Sequence, residues 1–277
     1  VSRTIRLGIS TCPNDTFAFH GLLTRAVHWR GLDFDVELLD IEQLNTRMLE
    51  DDFDVCKLSF AAALGLADRV VVLPSGSALG FGVGPLLLAA EPGTRPAEAT
   101  QLTLCPGAKT TATLLFDLFH PRTTTIEQAV FSEIMPRLAA RTADFGVCIH
   151  EGRFTWAAHG LHLVEDLGSR WEAETGCPLP LGGIVASRRL PAEVTAAVQQ
   201  VIHDSLTLAV ADPAAALPTM RAHAQEFDDR VLMQHVDLYV NEWTLDLGET
   251  GRRALDEFAM RAAATGRGGG RLEVFRP

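Results

Sequence analysis

The chain has 277 residues, 47% of them hydrophobic, enough for one large domain or two of moderate size and too much for a disordered or fibrous class. A formal net charge of -11 at pH 7 opposes the clustered Lys and Arg excess of a nucleic-acid footprint, so no nucleic-acid partner is expected. No window approaches the run of apolar residues that a membrane-spanning helix needs, so no membrane association is expected either.

Residues 5–10 predict a first strand, and Pro13, Asn14 and Asp15 open a helix running to about residue 27, with Asn14 and Asp15 as N-cap candidates. Residues 32–40 predict a second strand, followed by a helix over 41–49 on whose apolar face Asn45 falls. Residues 54–59 form a short apolar strand interrupted by Lys57 and ended by Ser59. Burying an unpaired ammonium is costly, so Lys57 either reaches solvent or faces a polar cleft. Strand-like runs at 70–73 and 84–90 flank a glycine-rich bend at 75–83, and residues 91–100 have linker composition.

The same grammar then recurs. A strand at 101–105 leads through Pro106 and Gly107 to a helix opened by Lys109, Thr110 and Thr111, where a glycine turn and hydroxyls at a helix start resemble an anion site. The glycine and lysine spacing of a P-loop is missing. Residues 124–131 read as a strand, 132–140 as a helix, and 145–149 as a buried strand that ends on His150, Glu151 and Arg153. Residues 178–186 form the return strand, helices fill 191–210, 213–227, 229–240 and 249–264, and the glycine-rich tail 265–270 is expected to be mobile.

These elements predict an α/β fold of two lobes, residues 1–88 with 187–277 and residues 89–186, joined by two crossings over a central cleft. If the strands are parallel, the polar ends at Ser10, Lys57 to Ser59, Lys109 to Ala112 and His150 all face that cleft. Such a set of donors suits a small anionic organic molecule. Of 24 basic residues only Lys57 and Lys109 are lysines, and a compact ammonium is not interchangeable with a guanidinium.

The five cysteines are widely spaced without a CxxC pair, which argues against a disulfide framework or a zinc site, and no metal is expected. No GxSxG motif supports a serine nucleophile. Acid–base work is left, with the His150 imidazole suited to neutral pH, although a histidine after a strand also serves as a structural hydrogen-bonding residue. The chain begins directly with a strand-like run rather than a secretory leader, so a cytoplasmic location is expected.

Taken together, Ser10-Thr11-Cys12-Pro13-Asn14-Asp15-Thr16-Phe17, Lys57-Leu58-Ser59, Gly80-Phe81-Gly82-Val83-Gly84-Pro85-Leu86, His150-Glu151-Gly152-Arg153-Phe154-Thr155 and Leu179-Pro180-Leu181-Gly182 resemble the 1,4-dihydroxy-6-naphthoate synthase family of the futalosine route to menaquinone. The likeness continues through Arg221-Ala222-His223-Ala224-Gln225-Glu226 and Tyr239-Val240-Asn241. It implies a periplasmic-binding-protein-like fold of type II and a lyase that cuts cyclic dehypoxanthine futalosine to 1,4-dihydroxy-6-naphthoate and a three-carbon fragment, with no cofactor. It also implies His150 as proton acceptor and Lys57, Leu58, Ser59, Thr111 and Ala112 as substrate-binding residues, with Asn45 and Ser10 beside them. A chorismate dehydratase-like sister enzyme and a non-catalytic solute-binding protein are the alternatives; the first is opposed by the stretch at 150–155, the second by the missing leader. Oligomeric state and the roles of Lys109, Glu151 and Arg153 stay open.

Overall fold

The computed structural model describes residues 3–149, 152–224, 228–267 and 269–276. Its eleven strands are β1 (Arg3–Ser10), β2 (Leu32–Leu39), β3 (Val55–Ser59), β4 (Val70–Val72), β5 (Ala78–Gly80), β6 (Leu86–Ala89), β7 (Leu102–Cys105), β8 (Thr125–Gln128), β9 (Phe145–Cys148), β10 (His162–Asp166) and β11 (Leu179–Ser187). They form two sheets. The first runs β2-β1-β3-β11-β4, with β5 also on β11, and the second runs β10-β6-β9-β7-β8.

Pairing is parallel among β1, β2 and β3 and among β7, β8 and β9, but β11 and β6 run against their neighbours. The strands that carry the expected polar ends, β1 with β3 and β7 with β9, thus meet the parallel condition, while hydrophobic alternation does not reveal the reversal of β6 and β11. The reversal has a use. Gly182 of β11 pairs with Ser59 at the end of β3, and Leu86 of β6 with Cys148 at the end of β9, so the starts of the antiparallel strands meet the ends of the parallel ones.

The anticipated lobe boundaries at residues 88 and 186 fall within β6 and β11, and hydrogen bonding assigns the whole of β11 to the first sheet. Within the glycine-rich bend the structure holds a short strand, β5, too brief for a periodic signal. The first helix is shorter than its sequence suggests: Pro13–Ala18 and His20–Leu23 are separate, and the chain turns at Arg25 with a φ of 57°. Beyond the glycine-rich 265–270, Leu272 and Val274 are buried and Val274 bridges to Val72.

One apolar core contains residues of both sheets, among them Leu58, Phe60 and Val72 with Leu87, Phe145, Val147 and Trp171. A second packs β1 against the C-terminal helices through Ile5, Leu7, Ile9, Val198, Ile202 and Leu206. Local chemistry then aims the helices. Asp40 accepts the N–H groups of Glu42 and Gln43 at 2.9 and 3.1 Å, while the Gln43 side chain accepts the Asp40 N–H, a capping box that starts the helix Ile41–Leu49 directly after β2. Between Gly84 and Gly168 the two backbones nearly touch; a Cβ on Gly84 would lie 2.2 Å from the Gly168 Cα, so larger residues would push the segment before β6 off the helix Leu167–Thr175.

Candidate active site

Where the carboxyl ends of the parallel strands converge, a cleft encloses about 690 Å³ of empty space, part of it open to solvent. Ser10, Asn14, Asp15, Lys57, Ser59 and His235 line it from the first sheet and its helices, with Thr110, Thr111, Ala112, Pro85 and Ile149 from the second.

Lys57 does not reach solvent. Its Nζ donates to Asp15 Oδ1 at 2.7 Å and to the Gly76 carbonyl at 3.1 Å, with side-chain exposures of 5% for the lysine and 3% for the aspartate. Asp15 also accepts Ser10 Oγ at 2.6 Å and Asn14 Nδ2 at 3.0 Å. Both charges are thus neutralised and hydrogen-bonded, which is what a buried ion pair requires. The anticipated N-cap role of Asn14 and Asp15 is not the one they have. Pro13 occupies the first helical position, so Cys12 is the cap residue and both side chains turn toward Lys57 and the cleft.

Ser59 is held from behind by Asn45, which is fully buried: Asn45 Nδ2 donates to Ser59 Oγ at 3.1 Å and Asn45 Oδ1 accepts the Ser59 N–H at 3.0 Å. Asn45 supports the cleft wall rather than lining it. Leu58, whose side chain points to the other face of β3 from Lys57 and Ser59, is packed in the core. In the second wall Thr110 caps the helix Thr111–Phe119 by accepting the Thr113 N–H, and donates to the Gly107 carbonyl at 2.8 Å. Thr111 Oγ1 donates to the Leu181 carbonyl of β11 at 2.8 Å, a bond from the second wall to the first sheet.

His150 and Glu151 lie outside the described residues; Ile149, immediately before them, lines the cleft. Arg153 fixes the following turn, donating to the Gly84 carbonyl at 2.5 Å and to Asp166 at 2.6 Å. Lys109 is at a separate recess beside Arg267 rather than in the cleft. Cys56, Cys105, Cys148 and Cys177 are buried and unbridged, and burial pushes the Cys105 and Cys148 thiols up to about 12. Among the described residues no cluster of His, Cys, Asp or Glu is arranged to hold a metal, and no helix is long and apolar enough to cross a membrane.

His235, which nothing in the sequence singled out, packs against Tyr239 with ring centroids 4.5 Å apart and planes tilted by 41° on the helix Asp229–Tyr239. His235 Nε2 is 3.0 Å from Asn14 Oδ1, and because the Asn14 amide nitrogen is committed to Asp15, this ring nitrogen carries the proton. Their i, i+4 spacing puts both rings on one face of a helix, but only the tertiary fold brings that face to the cleft.

The family model described as "Menaquinone biosynthesis" matches residues 5–264. The chain is 42% identical over 262 residues to the 1,4-dihydroxy-6-naphtoate synthase of Thermus thermophilus, covering 95% of each, and 40% identical over 271 residues to that of Streptomyces coelicolor, covering 95% and 94%. A solved Archaeoglobus fulgidus protein superposes with a TM-score of 0.89 at 28% identity, over 95% of this chain and 98% of that one. The periplasmic aliphatic sulphonate binding protein of Escherichia coli, at 10% identity, gives 0.67 over 100% and 93%, a likeness of fold alone. The architecture is accordingly the periplasmic-binding-protein-like one, and the chain belongs to the menaquinone-biosynthesis family of 1,4-dihydroxy-6-naphthoate synthases.

Proposed function

We propose that this protein is a carbon–carbon lyase that converts cyclic dehypoxanthine futalosine to 1,4-dihydroxy-6-naphthoate and a three-carbon fragment, with His150 as the proton acceptor. The observation that carries this reading is the convergence of Ser10, Lys57, Ser59, Thr111, Ala112 and Ile149, the residue before His150, on one cleft. On this reading the two sheets are the cores of two lobes and the substrate binds between them. Its carboxylate is received at the start of the helix Thr111–Phe119, where backbone N–H groups favour an anion.

In the reaction His150 takes a proton from the sugar-derived part of the substrate. The fragmentation that follows is heterolytic: the carbon–carbon bond to the three-carbon unit breaks, its electron pair goes to that unit as an enolate that then takes up a proton, and the ring carbon keeps its oxygen as a carbonyl that enolises to the naphthalenediol. Aromatisation to the naphthalenediol supplies the driving force. No external oxidant or reductant enters this balance. Lys57 and Ser59 supply N–H and O–H donors for charge developing on oxygen, and because Asp15 and Asn45 hold them in position they need little reorganisation. A cytoplasmic site of action goes with this proposal.

Incubating the purified protein with cyclic dehypoxanthine futalosine and detecting the naphthoate by mass spectrometry tests the reading. Binding without turnover defeats it in favour of a solute-binding protein. His150→Ala is expected to lower kcat by roughly a hundredfold or more, the ordinary scale of general base catalysis. Undiminished turnover in that variant removes only the assignment of the base.

A further inference from the structure

Glu42 stands between the two segments that the proposed function assigns to the substrate. Its helix Ile41–Leu49 follows β2 in the first sheet, and the neighbouring Ile41 lines the cleft. Toward the first wall, Asn45 Nδ2 lies 3.4 Å from Glu42 Oε2 and 3.1 Å from Ser59 Oγ, while its Oδ1 accepts the Ser59 N–H. Toward the second wall, the Glu42 carboxylate lies against the turn at Gly107, and the nearby Lys109 charge favours its ionised form.

The turn before the helix Thr111–Phe119 is shaped around this carboxylate. Gly107 has a φ of +114°, and a Cβ there would lie 2.7 Å from Glu42 Oε2 and 2.9 Å from its Cδ. The positive φ favours glycine, and the missing side chain leaves room for the carboxylate. The same turn is fixed to the cleft wall because Thr110 and Thr113 both donate to the Gly107 carbonyl, at 2.8 and 2.7 Å. A single carboxylate therefore ties Asn45 and Ser59 on one side to the turn carrying Thr110, Thr111 and Ala112 on the other. Burial opposes its ionised form, the opposite of what an idle, solvated surface glutamate would show.

We infer that Glu42 is a positioning residue that sets the spacing between the Ser59 wall and the Thr111–Ala112 wall of the cleft. The inference rests on the reading that these walls hold the substrate.

The test compares Glu42→Ala, which removes the tie, with Glu42→Gln, which keeps the length of the side chain against the Gly107 turn. In the ligand-free protein, hydrogen exchange of the Thr110 amide, which donates to the Gly107 carbonyl, is expected to speed up by on the order of tenfold in the alanine variant and by much less in the glutamine variant. With cyclic dehypoxanthine futalosine, Glu42→Ala is expected to raise KM by about tenfold while kcat changes by less than about threefold, and Glu42→Gln to restore KM to within about threefold of wild type. Glu42→Asp, one methylene shorter, supplies the same readouts if the alanine variant does not fold. Unchanged Thr110 exchange in Glu42→Ala overturns the inference, as does an unchanged KM or an equal loss in both variants. Failure of the wild type to turn over the compound defeats the functional reading instead, and the exchange measurement still decides the tie.

Discussion

The two walls of the cleft are built on different principles. The first is a buried ionic network in which Lys57, Asp15, Ser10 and Asn14 satisfy one another. The second is made of hydroxyls and small apolar groups held by a helix cap, with Thr110, Thr111 and Ala112 close to the backbone that orients them. Ionic groups buried together resist rearrangement, because moving one partner strands the other's charge. A capped helix start costs far less to disturb. The contrast makes the first wall the rigid one and the second the adjustable one.

The strongest way to break the first wall is Asp15→Asn, which leaves the Lys57 ammonium buried against a neutral amide. Loss of one partner of a buried pair costs ~3–5 kcal/mol, so urea unfolding should show a lower midpoint with an unchanged slope. The double replacement Asp15→Leu with Lys57→Met removes both charges and should recover most of that loss without recovering activity. If the single variant is as stable as wild type, Lys57 and Asp15 are not the mutually dependent pair their 2.7 Å contact describes.

How far this was legible in sequence differs between the same two walls. The second was readable almost whole, since strand, glycine turn, hydroxyl cap and helix follow one another within residues 101–119 and each depends on near neighbours. The first was not, because its partners are far apart in the chain: 42 residues separate Asp15 from Lys57 and 221 separate Asn14 from His235. Local patterning carries no register between distant strands, and it left Lys57 with two possible fates until the partner was known. One local clue was available. Pro13 fits the first helical position, so Asn14 and Asp15 are inside the helix and their side chains are not needed as caps. Strand direction was the other gap, since β11 and β6 read like their parallel neighbours.

A milder change probes the second wall. Thr110→Ala removes the cap of the helix Thr111–Phe119 at a cost of about 1 kcal/mol, and the Thr113 hydroxyl still reaches the Gly107 carbonyl at 2.7 Å. Amide exchange should therefore rise in the first turn of that helix well before the global unfolding midpoint moves. A loss as large as that of Asp15→Asn would erase the distinction between the walls.

The smallest effect is a pH dependence at Glu42, where the walls meet. Burial raises its pKa above the ordinary 4.5, outweighing the Asn45 hydrogen bond and the Lys109 charge and amide that lower it, while Asp40 adds a weaker raising influence. A folded state that holds this proton more tightly than the unfolded chain gains stability that is complete below the ordinary value and is lost as pH rises through the raised one. Glu42→Gln cannot titrate, so the melting temperature of wild type minus that of the variant should fall as pH is taken upward from below 4.5. Partial exposure screens the group and keeps the change small beside that of the Asp15 pair. A difference that stays flat with pH would place Glu42 in a solvated setting and remove the buried contact with the Gly107 turn on which the junction depends.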